Sequence, residues 1–129
     1  DMPMGMTAHI RYPQIDEAPA TLSKTVMELI RDDLGFDGLI MTDDISMKAL
    51  QGDLGDLSRA ALAAGCDVIL HCNAPLADRI ACADAAGQMT QAAQTRAEAA
   101  LAARRAPDDI DIAELTAELE TLLSGRPYG

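Results

Sequence analysis

The sequence predicts an α/β protein built on parallel strands, and three observations carry that expectation. Two short apolar runs, residues 38–41 and 68–70, have no polar alternation and so lack a solvated face, as buried parallel strands do. Each is preceded by a helical pattern and a glycine, Gly35 or Gly65, suited to ending that helix in a left-handed turn. The order strand, helix, glycine turn, strand therefore occurs twice, which implies right-handed βαβ units in a barrel or a doubly wound sheet.

In chain order, residues 4–10 (Met4-Gly-Met-Thr-Ala-His-Ile10) are mostly apolar and are expected to form the first strand, with His9 near its C-terminal end. Residues 14–20 contain proline and acids and read as a loop. Over residues 21–34, Leu22, Val26, Leu29, Ile30 and Leu34 recur at helical spacing, with Thr21 or Ser23 available as N-cap. The strand at 38–41 runs into Thr42, Asp43 and Asp44. A glycine- and aspartate-rich loop follows, and then a helix over 57–64 capped by Asp56. After the strand at 68–70 the chain is alanine-rich, with helices expected over 76–86, 89–105 and 112–123. Leu115, Leu119, Leu122 and Leu123 in the last of these are expected to pack onto the body, and residues 124–129 to form a loose tail. Residues 1–73 then form the strand-bearing part and 74–129 the helical part of one partial domain.

Composition narrows the function classes. The 129 residues include no Trp, one Phe and two Tyr, so the core must be aliphatic and stacking platforms for single-stranded nucleic acid are lacking. A formal charge of −11 repels phosphate backbones and anionic lipid surfaces. Neither nucleic acid nor a membrane is an expected partner. Cys66, Cys72 and Cys82 make an odd count without paired spacing, which fits a reducing, cytoplasmic setting, and the first residues lack signal-peptide character. His71 beside Cys72 suggests a metal, but no further ligands stand at zinc-site spacing. No cofactor is expected.

The chemistry points to the end of the second strand. A carboxylate there can attack carbon, hold a metal or tie down a loop. An Asp attacking an anomeric carbon must be ionised and close to the sugar, with a separate acid for the leaving oxygen. Asp43 suits that role. Adjacent residues on an extended chain point oppositely, so Asp44 is expected behind it, bonding backbone amides or pairing with Lys48. A Mg²⁺ pocket on the two carboxylates would need a third placed acid and a phosphate-binding glycine loop, and neither is present.

The segment Gly35-Phe-Asp-Gly-Leu-Ile-Met-Thr-Asp-Asp-Ile-Ser-Met47 strongly resembles the nucleophile segment of family 3 glycoside hydrolases, in the branch of bacterial β-N-acetylglucosaminidases of peptidoglycan recycling. Met6-Thr-Ala-His9 with Tyr12-Pro13, the helix ending in Asp33-Leu-Gly35, and Ala63-Ala-Gly-Cys-Asp-Val-Ile-Leu70 agree in order and spacing. The resemblance implies the C-terminal part of a (β/α)8 barrel, about three parallel strands followed by helices. It also implies a retaining mechanism on terminal β-linked N-acetylglucosamine, with Asp43 as nucleophile. Thr42 stands where the family often has Ser, and His9 matches a His at the end of an earlier barrel strand. His9, Thr42, Asp44, Met47 and Asn73 are the expected substrate-binding or supporting residues.

The family's acid/base His lies on a loop after a Lys-His-Phe-Pro-Gly-His-like stretch that this sequence lacks. The resemblance therefore implies a nucleophile-bearing portion, inactive alone, that associates with the rest of the barrel or with another copy of itself. The alternative expectation is a noncatalytic α/β binding or oligomerisation module.

Overall fold

The structure is a computed structural model and describes residues 2–72 and 74–124. Its elements are β1 (Met4–Thr7), β2 (Arg11–Tyr12), β3 (Asp16–Pro19), α1 (Lys24–Glu28), β4 (Leu39–Asp44), α2 (Leu54–Ala64), β5 (Val68–Leu70), α3 (Leu76–Ala86), α4 (Gln91–Ala102) and α5 (Ile112–Ser124). The expected parallel sheet is present. Its strand order is β1-β4-β5, with Met4 opposite Leu39, Thr7 opposite Thr42, and Met41 opposite Val68. The register with β5 slips between Met41 and Asp44, and Asp44, opposite Leu70, lies beyond the end of the pairing with β1.

One face of the sheet is packed. Ile40 from β4 meets Met27, Leu57, Ala61 and Ala64 of α1 and α2, with Ile45, Leu50, Cys66 and Cys82 completing an aliphatic core. The other face is covered at Leu39, which is buried, but open beside it and toward the C-terminal end of the strands, with Met4 at 40% and Met6 at 56% exposure. Burial in the core pushes the Cys66 thiol up to about 11, as expected of a thiol that packs as a small apolar group.

A buried ion cluster joins the first βαβ unit to the second. The Asp67 side chain, 4% exposed, accepts from Arg31 at 2.7 Å, from Arg96 of α4 at 2.8 Å, and from the Ile40 amide at 2.9 Å. Arg31 also donates to the carbonyls of Phe36 and Gly38, the turn that feeds β4.

Four local expectations are corrected. The helix over 21–34 is not continuous: residues 20–22 form a 3-10 turn, Ser23 is extended, and the helix ends in a π turn at Leu29–Asp33. The break arises because Ser23 Oγ caps the Val26 amide and donates to Asp16, which ties it to the preceding hairpin. That hairpin, β2 with β3, lies partly in the segment read as a loop; Pro19 is tolerated at the end of an outlying strand. Asp53, not Asp56, caps α2, accepting from the Gly55 and Asp56 amides. Finally, α5 does not pack onto the body: every residue of it is exposed, Leu115, Leu119, Leu122 and Leu123 included, because residues 103–111, with Pro107, carry it away.

Candidate active site at the end of the central strand

β4 is the central strand, and its last two residues are Asp43 and Asp44. Side chains alternate along a strand, so Asp43 shares the open face with Met41 and Met6, while Asp44 shares the helix-packed face with Thr42 and Ile40. Asp43 is half-buried. Its Oδ1 accepts from the Asp44 amide at 2.7 Å, and its Oδ2 has no hydrogen-bond partner among the described residues. One oxygen of the Asp43 carboxylate is thus pinned by its neighbour's amide while the other is left open.

Asp44 is anchored from several directions. Its Oδ1 accepts from the Ser46 amide at 3.0 Å and the Ser46 hydroxyl at 2.8 Å, and more distantly from the Cys72 amide at 3.3 Å and His71 Nδ1 at 3.4 Å. The Ser46 amide is the main reason that its carboxyl is lowered to about 2; burial opposes this, and the Ser46 hydroxyl, the Cys72 amide and His71 assist. The next peptide is fixed too: Ile45 N donates to the Leu70 carbonyl, and the Asp44 carbonyl accepts from Met47 N and from His9 Nε2, each at 3.0 Å. Asp44 thus joins the C-terminal ends of all three parallel strands.

His9 is held from behind. Its Nε2 donates to the Asp44 carbonyl, and its Nδ1 lies 2.7 Å from the Thr21 hydroxyl, whose oxygen is also 3.3 Å from the Ala8 carbonyl. Thr21 is fully buried and also meets the Thr7 hydroxyl at 2.9 Å. Thr42 is fully buried as well, and its Oγ1 accepts from the Leu70 amide, so it stitches β4 to β5 and does not face the open side. Met47 is 43% exposed, and what this residue gives the cluster is its backbone amide. Asn73 lies outside the described residues. The expected backbone bonding of Asp44 is present, and its carboxylate turns to Ser46 and His71 and not to Lys48.

The model of the glycosyl hydrolase family 3 N terminal domain matches residues 1–105. The chain belongs to glycosyl hydrolase family 3. Among its curated relatives, a beta-hexosaminidase of Bordetella parapertussis is 45% identical over 83 residues, covering 61% of this chain and 24% of that protein. One from Hydrogenovibrio crunogenus is 48% identical over 75 residues, covering 56% and 21%. Similar solved structures include the beta-N-acetylglucosaminidase from Thermotoga maritima, at 26% identity and a TM-score of 0.60, covering 80% of this chain and 26% of that one. NagZ from Neisseria gonorrhoeae in complex with N-trifluoroacetyl-D-glucosamine aligns at 30% identity and a TM-score of 0.59, covering 89% and 31%. The chain spans about a quarter of the length of the curated relatives it matches.

Within this family 3 domain, sequence reasoning missed Thr7, Thr21, Ser46 and His71 as members of the cluster. The Ser46 contact carried a signal, since an Asp side chain commonly accepts from the backbone amide two residues on. Thr21 and His71 carried none: their partners lie 12 and 27 residues away and meet them only in the folded sheet. No group of three or more metal-ligating side chains occurs among the described residues, and no described helix is long and apolar enough to cross a membrane.

Proposed function

We propose that this chain carries the nucleophilic half of the site of a retaining β-N-acetylhexosaminidase, acting on terminal non-reducing β-linked N-acetylglucosamine. The observation that carries the proposal is the placement of Asp43: at the end of the central parallel strand, on the open face, with one carboxylate oxygen fixed by the Asp44 amide. Asp43 Oδ2 attacks the anomeric carbon and forms a glycosyl ester. The bond to the aglycone oxygen breaks, and its electron pair leaves with that oxygen, which takes a proton from a general acid. Water then cleaves the ester with retention. The names of the relatives support the sugar class, and removal of N-acetylglucosamine from muropeptides in the cytoplasm is the setting that the resemblance implies.

The general acid is not one of the two histidines. Both ring nitrogens of His9 are engaged, and the His71 side chain is only 7% exposed. The proton must come from elsewhere in the complete barrel, of which these three strands form the C-terminal part, and this chain alone is weakly active or inactive on natural glycosides. Thr42, Met47 and Asn73 line or support this half-site, and the remaining barrel strands or a further copy of the chain would cover the open face.

An activated donor removes the need for the acid. Intact mass after incubation with a 5-fluoro N-acetylglucosaminyl fluoride, with Asp43→Asn as control, tests the proposal. A single sugar adduct that is lost in Asp43→Asn is expected. No adduct on a folded chain overturns the proposal and leaves a noncatalytic module.

A further inference from the structure

His71 is the one side chain in this cluster whose own bonding does not account for its position. It lies just beyond β5, its side chain is more than nine-tenths buried, and its Nε2 has no hydrogen-bond partner among the described residues. Native interiors pair their buried polar atoms, and an apolar side chain would fill this space without leaving a nitrogen unpartnered. Local rules of this kind are most often broken where a residue serves a site. What the ring gains here is Nδ1, 3.4 Å from Asp44 Oδ1. The ionised Asp44 carboxylate can only accept, so that Nδ1 carries the hydrogen.

His9 approaches the same residue with the opposite ring nitrogen. Its Nε2 holds the Asp44 carbonyl, while Thr21 holds its Nδ1. The two imidazoles thus grip Asp44 from the two outer strands, one at the backbone and one at the side chain. The consequence reaches Asp43, because the Asp44 amide that bonds Asp43 Oδ1 at 2.7 Å can point only where the rest of Asp44 allows. The His71 contact is long, and so is that of the neighbouring Cys72 amide at 3.3 Å, as hydrogen bonds around an unloaded site often are.

We infer that His71 is a positioning residue: through Asp44 it sets the orientation of the Asp43 carboxylate. This rests on the role proposed for Asp43. The residue is distinct from the loop-borne acid/base of the reaction, since it never meets the sugar and passes no proton.

Three variants of the full chain test it: His71→Asn, whose side-chain amide nitrogen can stand in for Nδ1, His71→Gln, whose amide reaches toward the Nε2 position, and His71→Leu. Two measurements are made on each, with folding checked by a urea midpoint: the rate of adduct formation from the 5-fluoro donor, and the 13Cγ resonance of Asp43 in aspartate-labelled protein. His71→Leu and His71→Gln should slow adduct formation tenfold or more and move the Asp43 resonance. His71→Asn should hold the rate within about threefold of the parent and leave the resonance in place. A merely structural role predicts that His71→Leu, which relieves the unpartnered nitrogen, leaves both unchanged, and that result overturns the inference. Should the parent chain form no adduct, the proposed function fails on its own. The Asp43 resonance then decides this inference alone: displaced by leucine and restored by asparagine upholds it, and unmoved by leucine overturns it.

Discussion

Removing the Asp67 carboxylate should cost the protein a large part of its stability. Asp67 is 4% exposed and sits between Arg31, 15% exposed, and Arg96, 26% exposed. Asp67→Ala deletes two charge-assisted bonds and leaves the Ile40 amide unpaired inside the sheet. Breaking a buried pair from one side costs about 3–5 kcal/mol. Two features lower the figure here: Arg31 keeps the Phe36 and Gly38 carbonyls, and Arg96 is exposed enough for water to solvate it. A loss of about 3 kcal/mol remains, against a total of about 5–15 kcal/mol for a domain. With a urea dependence of about 1.5 kcal/mol per molar, the midpoint should fall by about 2 M at unchanged slope. Arg96→Ala leaves Asp67 paired with Arg31 and should lose about 1 kcal/mol. A shift of less than about 0.5 kcal/mol for Asp67→Ala, or an equal cost for Arg96→Ala, would mean that Asp67 does not hold the cluster together.

Two further outcomes follow from single positions. Gly65 ends α2 at φ 127°, and a Cβ there would stand 3.1 Å from Met27 Cβ in the core, so Gly65→Ala should lower stability by about 2 kcal/mol in urea titration, from backbone strain and crowding together. The Asp44 carboxyl is lowered from 3.8 to about 2 on folding, so its contribution is complete above pH 3.8 and is lost as pH falls through about 2. Asp44→Asn should therefore be less stable than the parent at pH 6, and the difference in urea midpoint should shrink toward zero as the pH approaches 2.

Elements whose signal is local were legible in the sequence. The apolar runs at 38–41 and 68–70 could bury themselves only as interior strands, and Gly35 and Gly65, both at positive φ, mark the helix ends before them. The two adjacent aspartates mark the end of the central strand, where the proposed site lies, and strand alternation separates their faces. Signals that depend on competition were less legible. Ser23 serves a cap and Asp16 at once, which breaks a helix that periodicity would run straight through. The leucines of α5 satisfy a packing pattern, yet a pattern names no partner, and residues 103–111 lead the helix into solvent.

Read alone, the sequence specifies the three parallel strands, the helices that follow them, the aliphatic core and the place of Asp43 at a strand end, because each follows from periodicity or from neighbours on the chain. Ser46 apart, the groups that hold Asp44 and Asp67 are fixed only by the folded chain: they come from elements up to 36 residues away, and parallel strand pairing together with helix packing on the sheet brings them within hydrogen-bond reach.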